Sequence, residues 1–298
     1  MRPSAVRAHA PLLGVLAVEG LRAGLRAYLV GGGVRDLLLG REPVDLDVAL
    51  EGPLGGFASL IAALEGRGWA CTARHPRFGT ARLRGPAGEG VDLAATREES
   101  YPAPGALPVV TPGVSIGRDL ARRDFTVHAM ALPIAEADVD GALLDPFGGV
   151  SDLGLRRIRL LHAESLADDP TRVFRAARYA ARLAFELDTR FEAAVRRGVE
   201  TGAFARISGD RLRRALHELL SEENRAVALR ILVSLSVPTA IVEGWEIGAP
   251  VPDAVGGAGG ADDAWARLLG SADPDLRERI ATRLSFSRVL RRKTGCRR

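Results

Sequence analysis

The chain has 298 residues, 47% of them hydrophobic and 26% charged, with a formal net charge of +4. That length and balance fit roughly two globular domains, exclude a disordered chain and lean modestly toward a polyanionic partner. No apolar run reaches the ~18 residues of a membrane span and no secretory leader is readable, so no membrane partner and a cytoplasmic location are expected.

Leu12, Leu13, Leu16, Leu21 and Leu25 recur at near-helical spacing and predict a leading helix within residues 1–27. Residues 28–50 are the stretch around which the chain is organised: a short apolar strand at 28–30, three glycines at 31–33, a compact helix stopping at Gly40, and an alternating strand at 44–48. A period of two puts Asp45 and Asp47 on one face of that strand and Val44, Leu46 and Val48 in a core. A helix is expected at 57–66 and strands at 69–73, 80–84 and 90–94, which predicts an α/β domain with a small mixed sheet. Residues 97–118 carry Pro102, Pro104, Pro108 and Pro112 and read as a long loop, functional or mobile. Beyond residue 153 helices dominate, at about 168–183, 188–201, 208–221 and 223–235. An irregular stretch at 244–261 then precedes a helix at 262–284 and a basic tail. A domain boundary is therefore expected near residue 150, and the expected domains are 1–150, 151–220 and 221–298. The two cysteines, Cys71 and Cys296, have no metal spacing and allow one bridge at most.

Two aspartates held side by side repel each other unless a cation lies between them, and hard oxygen ligands suit Mg²⁺ carrying substrate phosphates. Asp45 and Asp47 are thus a metal pair by implication. Gly31 and Gly32 either make a tight turn or let a triphosphate approach backbone N–H groups, with Arg35 adding charge; no P-loop or dinucleotide fingerprint is present. Asp92 is either a solvent-facing strand residue or a third carboxylate. Arg122, Arg123 and Asp124 form either a solvated charge cluster or a fixed grip on a ribose or phosphate. Asp169 and Arg172 stand either at a helix start or, three apart on one helical face, as an acceptor and donor pair for a base edge. All but one of the 41 basic residues are arginine, Lys293 being the exception, a bias that a GC-rich coding sequence explains without function.

With these residues assembled, the chain resembles the class II tRNA nucleotidyltransferase (CCA-adding enzyme) and bacterial poly(A) polymerase family of the DNA polymerase beta superfamily. Gly31-Gly32-x-Val34-Arg35-Asp36 with Asp45-x-Asp47 resembles the family's glycine turn and metal pair, Asp92 its third carboxylate, and Arg122-Arg123-Asp124-Phe125-Thr126 its sugar-recognition motif. Asp168-Asp169-x-x-Arg172 resembles the protein template that selects CTP and ATP, and residues 145–149 the hinge between head and neck. His128 stands where the family has Asn, Asp168 replaces Glu, and residues 97–118 lack the family's acidic-basic flexible loop. The resemblance implies an α+β protein, with a polymerase-beta-like head of five strands and two Mg²⁺ ions followed by an all-helical neck and body. It implies CMP and AMP addition from CTP and ATP to the 3′ end of tRNA. Asp45 and Asp47 would hold metal, Asp92 assist, Gly31, Gly32 and Arg35 hold phosphates, Arg123 and Asp124 the ribose, and Asp169 with Arg172 the base. Poly(A) addition, partial CC-only or A-only addition to an RNA 3′ end, and a degenerate nucleotide- or RNA-binding protein are the alternatives.

Overall fold

The computed structural model describes residues 4–43, 45–86, 88–134, 142–247 and 259–297. The chain divides into two compact units, one of residues 1–100 and 108–155, the other of residues 101–107 and 156–298.

Unit 1 is built on a six-stranded mixed sheet. Its strands are β1 (Arg26–Val30), β2 (Asp47–Glu51), β3 (Ala70–His75), β4 (Thr80–Arg84), β5 (Gly90–Ala95) and β8 (Ala131–Pro133), in the order β3-β4-β5-β2-β1-β8. The pair β2–β5 is parallel and the other neighbours are antiparallel. The sheet is mixed, as expected, but among the described residues it has six strands, because the segment after the arginine turn returns to pair with β1. Leu29, Val48, Leu50 and Leu93 are buried in the core, as are Leu60, Ile61 and Leu64 of helix α3 (Leu54–Glu65) and Leu12, Leu13 and Leu16 of α1 (Ser4–Arg22). A second cluster joins Tyr28, Val30 and Ala49 to Ile116 and Leu120 of α4 (Ile116–Ala121).

The predicted strand at 44–48 starts later than expected. Val44 lies outside the described residues, Asp45 sits in a bend, and regular pairing begins at Asp47. The partner strand β1 pairs only as far as Val48↔Leu29 before the chain turns at Gly31, so Asp45 has no antiparallel neighbour. Leu46 and Val48 are nevertheless buried, as the alternation required. Residues 97–118 are a second departure. They contain an antiparallel ribbon, β6 (Arg97–Ser100) with β7 (Val109–Pro112), and the start of α4. Arg118 pairs with Glu98 at 3.0 Å and Arg122 with Glu99 at 3.0 Å, fastening the ribbon to α4 and its following turn. Within residues 145–149, Asp145 accepts the N–H groups of Gly149 (2.6 Å) and Val150 (3.0 Å) at the start of α5 (Gly149–Gly154).

Among its described residues, unit 2 is mostly helical, with a short parallel pair, β9 (Arg157–Ile158) with β10 (Glu186–Leu187), that the apolar pattern does not announce. Its principal helix α7 (Arg172–Leu183) buries Val173, Phe174, Ala177 and Ala180, while Arg178 and Arg182 reach Glu222 beyond α10 (Gly209–Leu220). Two predicted helices are each divided. Asp169 precedes Pro170 and is extended (φ −136°, ψ 98°), because the proline ring disfavours helical geometry in the residue before it, so α6 (Ser165–Asp168) and α7 are separate. The 262–284 segment is likewise α13 (Ala261–Gly270) and α14 (Pro274–Arg283): Asp273 caps the second helix by accepting the N–H groups of Asp275 (3.0 Å) and Leu276 (2.9 Å). Most of the irregular 244–261 stretch, residues 248–258, lies outside the described residues. The basic tail forms α15 (Arg288–Lys293) and is anchored by buried Leu290 and Cys296. No described helix is long and apolar enough to cross a membrane.

Candidate active site

A row of charge crosses three adjacent strands of unit 1. Asp47 lies opposite Asp92 in the β2–β5 register and Asp92 opposite Arg82 in the β4–β5 register, so the three side chains share one face of the sheet. That face opens into a cleft of about 530 Å³, lined also by Asp119, Arg122 and Arg123. Burial in the cleft wall raises the pKa of Asp47 above the usual carboxylate range. Asp92 and Asp45 push the same way, and Arg123 and Arg82 pull it down. Asp92 is engaged at both oxygens by Arg82, Nε to Oδ1 and Nη2 to Oδ2, each at 2.7 Å.

Gly31 joins β1 to α2 (Gly32–Leu38) with φ 67° and ψ −134°, a conformation only glycine adopts without strain. A Cβ there would stand 3.2 Å from Arg123 Nη1 and 3.7 Å from Asp47 Oδ2. The glycine turn, Arg123 and Asp47 therefore converge on one point. Arg123 is held there by Asp119, whose carboxylate is 1% exposed and accepts from Arg123 Nη2 (2.8 Å), Arg122 Nη2 (2.8 Å) and the N–H of Arg97 (3.1 Å). Burial alone would raise the pKa of Asp119, but the charges and hydrogen bonds of Arg123 and Arg122 outweigh it and hold it below the usual range. Sequence reasoning misses Asp119 and Arg82. Arg82 is detectable as a strand residue of the same parity as the cleft face; Asp119 looks like an ordinary residue on a polar helix turn.

Two predicted phosphate and sugar ligands stand elsewhere in the network. Arg35 is 5% exposed; its Nε and Nη2 donate to Asp36 (2.8 and 2.9 Å) and its Nη1 lies 2.8 Å from His128 Nε2. Asp124 is also buried, accepting the N–H of Phe125 at 2.9 Å and facing His128 Nδ1 at 3.0 Å. Neither is among the residues that line the cleft; each meets its charge with partners inside the protein.

In unit 2, Asp169 is not on a helical face shared with Arg172. Its Oδ1 accepts the N–H (2.9 Å) and hydroxyl (2.6 Å) of Thr171 and pairs with Arg211 Nη2 at 3.0 Å. Arg211 Nη1 donates in turn to the carbonyl of Gly105 at 3.0 Å. Arg172, 5% exposed, has its guanidinium 5.9 Å from the centre of the Tyr101 ring, within cation–π range. Residues 101–107 thus belong to the surroundings of this pair.

The donor chemistry suits a hard divalent cation. Mg²⁺ is ordinarily bound through one or two carboxylates together with substrate phosphates, and Asp45 and Asp47 supply two such carboxylates whose mutual repulsion a cation would relieve. Among the described residues no three acidic, histidine or cysteine side chains form a ready metal cage, so the remaining ligands would come from substrate and water.

Residues 27–159 match the model of the poly A polymerase head domain. An A-adding tRNA nucleotidyltransferase of Geobacter sulfurreducens is 42% identical over 206 residues, 69% of this chain and 23% of that protein. A CC-adding tRNA nucleotidyltransferase of Deinococcus radiodurans is 46% identical over 157 residues, 52% of this chain and 40% of that protein. A solved CCA-adding enzyme in an apo form superposes with a TM-score of 0.80 at 30% identity, over 96% of this chain and 70% of that one. The chain spans from about a quarter to under half of the length of these two curated relatives.

Proposed function

Because the chain belongs to the tRNA nucleotidyltransferase and poly(A) polymerase family, we propose that it transfers CMP and AMP from CTP and ATP to the 3′ end of tRNA, forming or repairing the CCA end with release of pyrophosphate. The observation that carries this reading is the convergence of the Gly31 backbone, the Arg123 guanidinium and the Asp47 carboxylate on one cleft wall. Backbone and guanidinium donors meet phosphate oxygens, and a carboxylate a few ångströms away meets the cation those oxygens carry. Asp45 and Asp47 would hold Mg²⁺, which when bound supplies Lewis-acid activation of the RNA 3′-hydroxyl and neutralises the triphosphate.

The chain's own residues perform the remaining tasks. Gly31 and Gly32 give the triphosphate close access to the backbone, and Arg123, steadied by Asp119, orients it from one side. Arg82 lies beside Asp92 at the other end of the charge row and lines the same cleft, where it would meet the same phosphates. Asp92 assists by adding negative charge next to Asp47. In unit 2, Asp169 and Arg172 read the Watson–Crick edge that cytosine and adenine share, an amino donor beside a ring-nitrogen acceptor.

A second reading, addition of only CC or only A, is favoured by the names of the two curated relatives described above. Incubation with tRNAs ending before the CCA, after C and after CC, each with Mg²⁺ and labelled CTP or ATP, tests both. Up to three added nucleotides supports full CCA addition. CMP added only to the two ends that lack a complete CC, or AMP added only to the end after CC, supports the partial activity. A long A ladder, or no extension of any tRNA, overturns the proposal.

A further inference from the structure

Arg35 and Asp124 meet through a residue to which no role has been assigned. His128 is 5% exposed and bridges them, its Nε2 2.8 Å from Arg35 Nη1 and its Nδ1 3.0 Å from Asp124 Oδ1. A guanidinium carries donors only, so the nitrogen facing it must accept; the nitrogen facing the carboxylate is then the one that donates. Both contacts are satisfied by a single form of the ring, the neutral imidazole protonated at Nδ1. An imidazolium would set one N–H against another at Arg35.

The same residue also touches the second arginine of the cleft. The carbonyl of His128 accepts from Arg123 Nη1 at 3.5 Å, and that nitrogen lies 3.2 Å from the position a Cβ of Gly31 would take. On the ring side, Arg35 Nη2 lies 3.5 Å from the corresponding position at Gly32. His128 therefore meets the arginine beside Gly31 through its carbonyl and the arginine beside Gly32 through its ring. We infer that His128, as the neutral Nδ1-protonated imidazole, is a positioning residue that sets the two glycines and Arg123 in register for the triphosphate. This rests on the triphosphate reading of the cleft given above. Charged and titratable groups on the neighbouring elements are consistent with the arrangement: Asp36 neutralises Arg35 from α2, Asp119 neutralises Arg123 from α4, and Asp152 of α5 is taken up by the Thr126 hydroxyl at 2.6 Å.

An asparagine offers the same pair of groups, an amide N–H donor and a carbonyl acceptor, whereas leucine offers neither. His128→Asn and His128→Leu therefore separate positioning from space-filling. CTP binding by calorimetry and the kinetic constants for CTP and ATP should stay within about threefold of wild type for the asparagine variant. The leucine variant should lose about tenfold or more in nucleotide affinity and KM with a smaller change in kcat, since a displaced phosphate cradle costs at least this much. Nitrogen-15 NMR of the histidine side chains, assigned by the signal missing from the asparagine variant, should show a protonated Nδ1 and an unprotonated Nε2. Nucleotide affinity unchanged in the leucine variant, asparagine no better than leucine, or a ring protonated at Nε2 would each overturn the inference. Should the leucine variant not fold, the NMR signature and the asparagine variant still decide the matter. If wild type binds CTP yet extends no RNA, the functional reading fails while these binding and NMR results remain decisive for His128.

Discussion

Asp119 gives the most quantitative test of how unit 1 is held together. Replacing it with alanine would leave two guanidinium groups and the N–H of Arg97 without their shared acceptor. Removing one partner of a buried ion pair typically costs about 3–5 kcal/mol. Arg122 and Arg123 retain 17% and 16% side-chain exposure, and Arg122 keeps Glu99 at 3.0 Å, so part of their charge stays satisfied and the cost falls near the lower bound. A loss of about 3 kcal/mol corresponds to a fall in Tm of roughly 6–12 °C for a domain of 150–250 residues. The pH dependence has a definite sign. The folded pKa of Asp119 is depressed, so its stabilisation is fully present above the unfolded value of about 3.9 and is lost as pH falls through the lower folded value. Calorimetry of wild type and Asp119→Ala should show a constant gap from about pH 5 to pH 8, closing only below about pH 4. A gap under about 0.5 kcal/mol at pH 7, the size of an ordinary surface substitution, would refute this account, as would one that closes by pH 6.

Asp47→Asn should abolish extension while leaving the nucleotide-free protein as stable as wild type or slightly more so, because the raised pKa of Asp47 marks a carboxylate that the fold disfavours in its charged form. For the same reason the wild type should lose a little stability as pH rises from the unfolded value of Asp47 to its folded value, and a thermal-melt series on both proteins reads this directly. Asp169→Ala should lower the preference for CTP over UTP, measured as a ratio of kcat/KM, by at least about tenfold, since uracil reverses the donor and acceptor pair. Equal slowing with every nucleotide would leave Asp169 the structural contacts it makes with Thr171 and Arg211. Arg288 and Arg292 are exposed on α15, and their joint replacement by serine should reduce the slope of log affinity for RNA against log salt by about 1–2, which filter binding at several salt concentrations measures. Truncation at residue 286 is the poorer test, because it would remove Phe286 from its edge-on contact with Trp265.

Where one physical signal dominates a segment, the sequence sufficed. Strands β4 and β5 alternate strictly, and Gly40 ends its turn with φ 68°, as a helix-terminating glycine should. The 97–118 ribbon was hidden because one of its strands is highly charged and the other ends in proline, and ion pairs fasten it to α4 and the turn beyond it. The split of the 262–284 helix is legible in Asp273-Pro274, a capping residue followed by a proline. At the site, parity along the strand was enough to put Asp47 on the cleft face, whereas the commitments of Arg35 and Asp124 to buried partners were not legible. What a buried charge is paired with depends on residues far away in the chain, such as His128 for Arg35, and local spacing carries no trace of them.

The grouping of residues 101–107 with unit 2 constrains the order in which the two units can finish folding during synthesis. The ribbon that carries this tip is complete once residue 112 has left the ribosome, yet the tip's partners, the carbonyl of Ala167 for the N–H of Gly105 and Arg211 for its carbonyl, are synthesised much later. Unit 1 therefore has all its own residues by position 155 and must wait with an unsatisfied loop until unit 2 emerges. An expressed fragment ending at residue 155 would hold the whole sheet and the Asp47 cleft but present that loop to solvent, where proteases preferentially cut.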